Sequence, residues 1–528
     1  MKKLLLVAFF ASIQFAVFAQ TPQWSTDVAP ILYNHCTTCH HDGGIAPFAL
    51  ITYNDAVLHS ASMKTDVLIK KMPPWTPDPN YSHMAHERVL TTAQINTIVN
   101  WVNGSTPQGN PSLAPPSPVY GTKGIIPGTP DLVVKIPVYT STAATGDVYQ
   151  CFVVPGGLAT DEYISSFEAV PGNPACVHHV LVYSDTTGAC AAKQAASTTS
   201  PGYPCFGGVG SSNAVLLGGW VPGSAPMSYP YGFGVRLAKH ADIVIQVHYP
   251  AGTAGMKDST EIHFFFSKSS VVRNISIEPL LYHQVPILNA PLLIPANTTQ
   301  SFYEALPLSL VTSGDISLLS IAPHMHLIGQ SIKSYAVHAT GDTDKLISIN
   351  KWDFHWQGFY LLPKIKKLPA GTVLHAEAFY DNTAANPENP NSPPKDVAAG
   401  ESTTDEMMLV FFAYTNYQAG DENILIDSSK LYTPELLDYY HGQQLLDVCP
   451  NPALNDLVVK CYFDKEDIGS IALIDMQGKI VLQFLNNDKI KEGYTAYTYS
   501  VNGIAAGNYL LEMRTTHNIQ TRKVVVMH

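Results

Sequence analysis

Two thiols three residues apart, followed at once by a histidine, open the chemically active part of this chain: Cys36-Thr37-Thr38-Cys39-His40. Thiols at this spacing can add across the two vinyl groups of one haem, and the histidine then ligates the iron. A redox dithiol would not need His40, and a zinc tetrahedron would need a second Cys-x-x-Cys that the chain lacks. The pentapeptide therefore predicts a covalent c-type haem held by Cys36, Cys39 and His40. Electron carriers usually add a second axial ligand, and methionine in that place raises the potential. Met72 in KKMPPW is the candidate, because the prolines behind it hold it in an extended, rigid segment. Met63 and Met84 are the alternatives, and ordinary core is the plain reading of Met72. His83 and His86 lie in a loop-like stretch and read as surface residues.

Three further histidine groups follow. His178-His179 opens HHVLVY, where adjacent strand residues point to opposite faces, so one ion could use both only at a bend or through different ring nitrogens. His248 closes DIVIQVHY on the same face as Val244 and Gln246, and His324-x-His326 in IAPHMHLIG sets two imidazoles on one face of a strand. Singly, each group reads as an incidental strand histidine. Together they supply five imidazoles, one short of two three-ligand sites, and Met407 or Met408 in TTDEMMLVFF is the candidate sixth ligand. Thioether with imidazole is a soft set that favours Cu(I), whereas zinc rarely takes methionine.

The elements that must position these groups change character along the chain. Residues 21–112 read as a small helical unit, with a helix-compatible stretch from Asp27 to Cys39 and a second helix in LTTAQINTIVNWVNG, capped by Thr92 and stopped by Gly104. Two helices plus a haem suit a cytochrome c. Residues 113–125 are rich in proline and glycine and read as a linker. From 126 to 418, short β-branched and aromatic runs alternate with turn residues and no long helix, the pattern of antiparallel β-sandwiches or jelly rolls. A break between Ser267 and Ile277 divides this region into two sandwiches, 126–270 and 271–418. A spacer at 419–446 leads to a small β-sandwich at 447–528, in which Met476-Gln477-Gly478-Lys479 supplies one turn. The fold class is thus multidomain: an all-α unit followed by three β-sandwiches.

Bulk properties bound the function. A net charge of −12 without a lysine- or arginine-rich run argues against nucleic acid or an anionic membrane as partner. Met1-Lys2-Lys3 and the apolar run behind it read as a signal peptide over 1–19, too short to span a bilayer, and no cysteine follows the cleavage site to anchor a lipid. In an exported chain the eight cysteines are expected to be haem-bound or oxidised. Cys151, Cys176, Cys190 and Cys205 make a two-disulfide group of open connectivity, and pairing of Cys449 with Cys461 is also left open.

The order HHVLVY, QVHY, HMHLIG, DEMM resembles the copper type II, ascorbate-dependent monooxygenases, which include peptidylglycine α-hydroxylating monooxygenase and dopamine β-monooxygenase. The segment GGWVPGSAPMSYPYGFGVRL before QVHY is similar to the family's connecting segment, and the resemblance covers about residues 126 to 418. It implies two copper-bearing sandwiches facing a solvent-filled cleft. One copper, for electron transfer, would sit on His178, His179 and His248; the other, for oxygen activation, on His324, His326 and Met407. Peptide-hydroxylating members carry an arginine two residues before H-x-H, and an asparagine and tyrosine after the copper methionine, to grip a carboxylate. This chain has Ala322, Leu409 and Phe411 there, which points away from a peptidylglycine and toward a less polar substrate. The N-terminal unit resembles the haem domain fused to bacterial members, through W-x-x-DVAPILYNHC-x-x-CH, PFALITY and MPPW. The C-terminal segment resembles type IX secretion sorting domains of Bacteroidota, through Cys449-Pro450-Asn451-Pro452, LIDMQGKIV, GIAAGNYLL and a terminal RKVVV.

These resemblances imply a secreted or surface-held oxidoreductase of a Gram-negative bacterium, exported through the periplasm and handled by the type IX secretion machinery. It would hydroxylate a C–H bond of a small or peptide-like substrate, using two coppers, O2 and ascorbate or another reductant. The haem is expected to feed the copper pair, with the linker after Asn110 letting it dock near His178, His179 and His248. The competing reading is a non-catalytic haem and copper electron-transfer or copper-binding surface protein. A zinc hydrolase would need a carboxylate base beside the histidines, and none of the motifs carries one at helical spacing.

Overall fold

In the computed structural model, the described residues run from 21 to 527, apart from 45, 121–123, 125, 127, 200, 206–207, 223, 225, 285–286, 401, 427–444, 450, 454–455, 464–465, 491–492 and 517–518. The signal peptide expected over 1–19 and most of the spacer expected over 419–446 lie outside them. The chain divides into two compact units, residues 1–427 and 428–528.

The first unit begins with four α-helices, Ala29–His35, Tyr53–Leu58, Ser60–Leu68 and Thr92–Asn103, rather than two. The stretch expected to be one helix from Asp27 is a π turn, Trp24–Val28, running into Ala29–His35, with Pro30 in the first α turn where its missing N–H costs nothing. The last helix is capped by Thr91, one residue earlier than expected. Gln94 N–H donates to Thr91 Oγ1 at 3.2 Å, and Thr91 N–H donates to Gln94 Oε1 at 2.8 Å. That reciprocal box needs the residue three before Gln94, which is Thr91. Trp24, Leu32, Met63, Ile98 and Trp101 fill the small core.

Two β-sandwiches follow in the same unit. In the first, a five-stranded sheet has the order Tyr203–Pro204, Val148–Pro155, Asp242–Tyr249, His179–Asp185, Val215–Trp220. A six-stranded sheet built on Glu261–Phe266 and Glu162–Val170 packs against it. Strand alternation sends Ile243, Ile245 and Val247 into the shared core with Phe152, Phe167 and Phe264, leaving Val244, Gln246 and His248 on the outer face. The second sandwich pairs Ser276–Tyr282, Leu409–Asn416, Ile316–His324 and Tyr360–Leu368 in one sheet, and Thr299–Pro307, Val373–Asp381, Gly329–Val337 and Thr343–Ile349 in the other. Phe302, Leu318, Tyr380, Val410 and Phe412 are wholly buried between them. One short helix, Ala189–Ala196, lies in the region expected to hold no long helix, and its Gln194 Oε1 accepts from Val153 N–H of the first sandwich at 2.8 Å.

The four cysteines from 151 to 205 close one bridge, not two. Cys151 and Cys205 are joined, and Cys176 and Cys190 are free, buried thiols. Cys176 sits in the sandwich core, whereas Cys190 lies with Cys151 and Tyr203 on the outer face, so burial separates them.

The second unit is a small sandwich of its own. A three-stranded sheet, Leu445–Cys449, Asp456–Phe463 and Gly493–Ser500, faces a four-stranded one, Ile480–Ile490, Asp467–Ile474, Gly507–Thr515 and Ile519–Val526. Leu457, Phe463, Leu473, Leu511 and Val524 form its core. The turn at 475–479 closes with Asp475 N–H donating to Lys479 O at 2.9 Å and Gly478 at φ 84°. Cys461 is a free thiol, and in the register it faces Leu446 while Cys449 faces Val458.

Candidate metal centres

The first centre forms where a strand begins and another ends. His179 starts strand His179–Asp185 and lies opposite His248 in the ladder, while His178 precedes the strand and donates its backbone N–H to His248 O at 2.9 Å. His178 is therefore off the pleat, and adjacent residues reach one point. The Nδ1 atoms of His178 and His179 are 3.2 Å apart, and His248 Nδ1 lies 3.1 and 3.3 Å from them. Three imidazole nitrogens at about 2.0 Å from one tetrahedral ion would be about 3.3 Å apart, so the cluster fits a metal. Asp147 fixes the tautomer: His248 Nε2–H donates to Asp147 Oδ2 at 2.9 Å, which leaves the Nδ1 lone pair aimed at the cluster. Tyr149 stacks on His248 at 4.2 Å and 9°. Burial, followed by the charge of His248, pushes His178 down to about 3 and His179 well below its ordinary value. Both rings are neutral and ready to ligate.

The second centre is built on the other sandwich. Strand Ile316–His324 ends at the first histidine of the pair; Met325 turns into the core and His326 returns to the side of His324. The two rings are 5.1 Å apart and nearly perpendicular. His324 Nδ1–H donates to Gln357 Oε1 at 2.5 Å, and His326 Nδ1–H donates to Asp405 O at 3.1 Å. Each ring is thereby left with Nε2 for a metal. Glu406, fully buried, ties this segment to the methionine pair, accepting from the backbone N–H groups of His326, Ile328 and Met407 at 3.0, 2.9 and 3.1 Å. Burial pushes its pKa up to about 8 against the pull of those N–H groups. Met407 lines the same cavity as His324 and His326, whereas Met408 is wholly buried in the sandwich core. Burial pushes His324 down to about 4 and His326 to about 3.

Both centres open on one cavity of about 380 Å³ between the sandwiches. Gly219 of strand Val215–Trp220 marks a close approach, since a Cβ there would lie 2.8 Å from atoms of both Leu181 and Phe359. Ala322, Leu409 and Phe411, the three departures from the carboxylate-gripping pattern, all line the cavity with Leu181, Met227 and Phe359. Among the described lining residues there is no Asp, Glu, Lys or Arg. Sequence reasoning missed several participants: Asp147, Tyr149, Gln357, Glu406, and two more histidines. His283 lines the cavity and accepts Met408 N–H at 3.4 Å on Nδ1; His355, from the second sandwich, lies 5.7 Å from His178 ring to ring. No motif flags a lone histidine or glutamine in a loop.

In the helical part, Cys36 and Cys39 are free and half-buried. His40 Nδ1–H donates to Phe48 O at 3.0 Å, leaving Nε2 for an axial bond, so these three side chains fit a c-type haem. Met72 is half-buried after helix Ser60–Leu68, and Met63 lies in the helical core. Met84 is buried in the core of the second sandwich. His83 is half-buried against Glu87, at 3.0 Å, and His86 is exposed.

Residues 296–431, which contain His324, His326 and Met407, match the copper type II ascorbate-dependent monooxygenase C-terminal domain. That part of the chain is therefore similar to a copper monooxygenase domain. Residues 447–527 match the secretion system C-terminal sorting domain, which marks the chain for type IX export to the cell surface or beyond in a Gram-negative bacterium. Among the described residues no helix is long and apolar enough to cross a membrane. Dopamine beta-hydroxylase of Bos taurus is 24% identical over 288 residues, 51% of this chain and 44% of that protein, so the chain spans less than half of that relative's length. Among solved structures, a Parabacteroides merdae beta-glucuronidase matches 44% of this chain and 29% of its own at 9% identity and TM-score 0.14. Dimeric latent PorU from Porphyromonas gingivalis matches 72% and 34% at 9% identity and TM-score 0.15. Similarities of that size say nothing about this chain's chemistry.

Proposed function

We propose that the chain is an exported copper-dependent monooxygenase that hydroxylates a C–H bond of a neutral, largely apolar small molecule. The observation that carries this reading is the one cavity onto which both ligand sets open, lined otherwise by uncharged and largely apolar side chains. His178, His179 and His248 would hold one copper, and His324, His326 and Met407 the other. Bound there, copper supplies the one-electron chemistry that O2 reduction and C–H hydroxylation require.

The chain's own residues prepare that chemistry. Asp147 holds His248, Gln357 holds His324, and the Asp405 carbonyl holds His326, each through the ring nitrogen that does not face the metal. Leu181, Phe359, Leu409 and Phe411 bind the substrate by excluding water. No cationic side chain among the described lining residues is available to grip a carboxylate, which supports a neutral substrate. Cys36, Cys39 and His40 would hold the haem, with Met72 as the proposed second axial ligand, and the haem would supply electrons alongside or in place of ascorbate. A purely electron-carrying or copper-storing protein has no use for an apolar cavity joining the two sites.

The test is oxygen uptake by the copper-loaded, haem-bearing full chain with ascorbate, across neutral apolar compounds and their carboxylated analogues. Uptake stimulated by the neutral series supports the reading. Two bound coppers with no substrate-dependent uptake would favour the non-catalytic alternative.

A further inference from the structure

The helical unit is fixed to the second sandwich by a dense set of contacts. Asp78 N–H donates to Ser348 O at 2.8 Å, and Asn350 Nδ2 donates to Asp78 Oδ2 at 2.8 Å. Ser82 Oγ donates to Leu346 O at 2.7 Å, and Ala85 N–H donates to Leu361 O at 2.8 Å. Met84 is driven fully into the sandwich core. Tyr120, at the end of the helical unit's chain, stacks on His41 at 4.2 Å, with its hydroxyl 2.6 Å from Thr37 Oγ1.

At the centre of the interface a line of side chains runs inward. Trp75 lies three residues after Met72, the proposed axial ligand, and its ring is 5.8 Å from the Arg88 guanidinium. Trp75 meets Tyr360 edge-on at 5.5 Å, and the Tyr360 and Thr76 hydroxyls are 2.9 Å apart. Tyr360 begins the strand Tyr360–Leu368, three residues after Gln357, whose side chain holds His324 Nδ1 at 2.5 Å. Phe359, between them in the chain, lines the cavity.

We propose that Trp75, Tyr360 and Gln357 bridge the helical unit to the His324–His326–Met407 site, so that an electron leaving the haem arrives there before it reaches His178, His179 and His248. The inference rests on the haem and copper assignments proposed above. Electron tunnelling weakens steeply with distance and is helped by bonded and hydrogen-bonded contacts over open gaps. The bridge reaches the second site through the Gln357–His324 hydrogen bond, whereas the same loop meets the first site across a 5.7 Å ring-to-ring gap between His355 and His178. The step is a one-electron exchange: ferrous haem becomes ferric, one cupric ion becomes cuprous, and no proton or group moves. An external one-electron donor restores the haem.

Lying between two sites does not by itself demonstrate coupling, so the test separates the sites. The full chain carrying haem and cupric ions is given one electron equivalent by photoreduced flavin without oxygen. Haem reoxidation is followed by absorbance, and the copper that gains the electron by electron paramagnetic resonance. Emptying the first site with His178→Ala and His248→Ala should leave the rate of haem reoxidation within about twofold. Emptying the second with His324→Ala and His326→Ala should slow it about tenfold or more, as should Trp75→Leu with copper content unchanged. Fast reoxidation that survives loss of the second site and vanishes with the first would overturn the proposal. Ferrous haem that persists beside two cupric ions would overturn it along with the electron-donor role of the haem. A chain without covalent haem would instead fail the haem assignment itself, visible at once as a missing absorbance band.

Discussion

At the residue scale, the decisive side chain is Met407. It and Met408 are chemically identical neighbours, but in the stretch leading into strand Leu409–Asn416 one faces the cavity and the other the core. Met407→Ile should abolish oxygen activation while copper at His178, His179 and His248 is retained, as read by copper content and oxygen uptake. Met408→Ala should act differently, lowering stability by about 2–5 kcal/mol through a core cavity without changing copper ligation. Full activity in Met407→Ile with loss in Met408→Ile would reverse the assignment. Asp147 has a parallel role at the other site. Asp147→Ala removes the carboxylate that orients His248 and should weaken copper there about 10–100-fold, measured by competition with a chelator. An unchanged affinity would mean that strand pairing alone orients the ring.

At the element scale, each centre depends on how a strand ends. His178 joins His179 because it precedes the ladder, and His324 and His326 converge because Met325 between them is pulled into the core. The period-two pattern made the H-x-H pincer and the outward face of Gln246 and His248 readable from sequence alone. What escaped that reading was held by loops without periodicity: Gln357 in the segment before Tyr360, His283 at the end of Ser276–Tyr282, and Asp147 before Val148–Pro155. The cysteine pairing escaped for another reason, since spacing carries no information about which side of a sheet a thiol occupies. Glu406 joins two elements by three backbone hydrogen bonds from His326, Ile328 and Met407. Glu406→Ala leaves those N–H groups buried without acceptors, at about 1–3 kcal/mol each. The second site should then lose copper selectively, with the resonance of the first site intact. Equal loss from both sites would show general unfolding instead.

At the scale of the whole molecule, the metal-free state is sensitive to acid. Burial depresses His178, His179, His324 and His326 below their ordinary value of 6.5. Between that value and the folded pKa, about 3 to 4 for His178, His324 and His326, the unfolded chain binds protons that the folded chain does not. Their contribution is therefore complete above 6.5 and is lost as pH falls, each ring giving up to about 1.4 kcal/mol per pH unit. The melting temperature of metal-free protein should fall from about pH 6.5 to about pH 4.5, and a flat profile would show these rings to be solvated. The sorting domain has its own core and belongs to a separate compact unit. A chain ending after residue 427 should keep both coppers and remain inside the cell envelope, as judged by fractionation.

The central claim, that two sites around one apolar cavity insert oxygen into a C–H bond, is tested most directly by isotope labelling. Copper-loaded full chain, ascorbate and ¹⁸O2 are incubated with a neutral apolar substrate that stimulates oxygen uptake, and the product is examined by mass spectrometry. One labelled oxygen atom per product molecule, absent from Met407→Ile, is the predicted result. Product carrying oxygen from water, or equal labelling by Met407→Ile, would contradict the account.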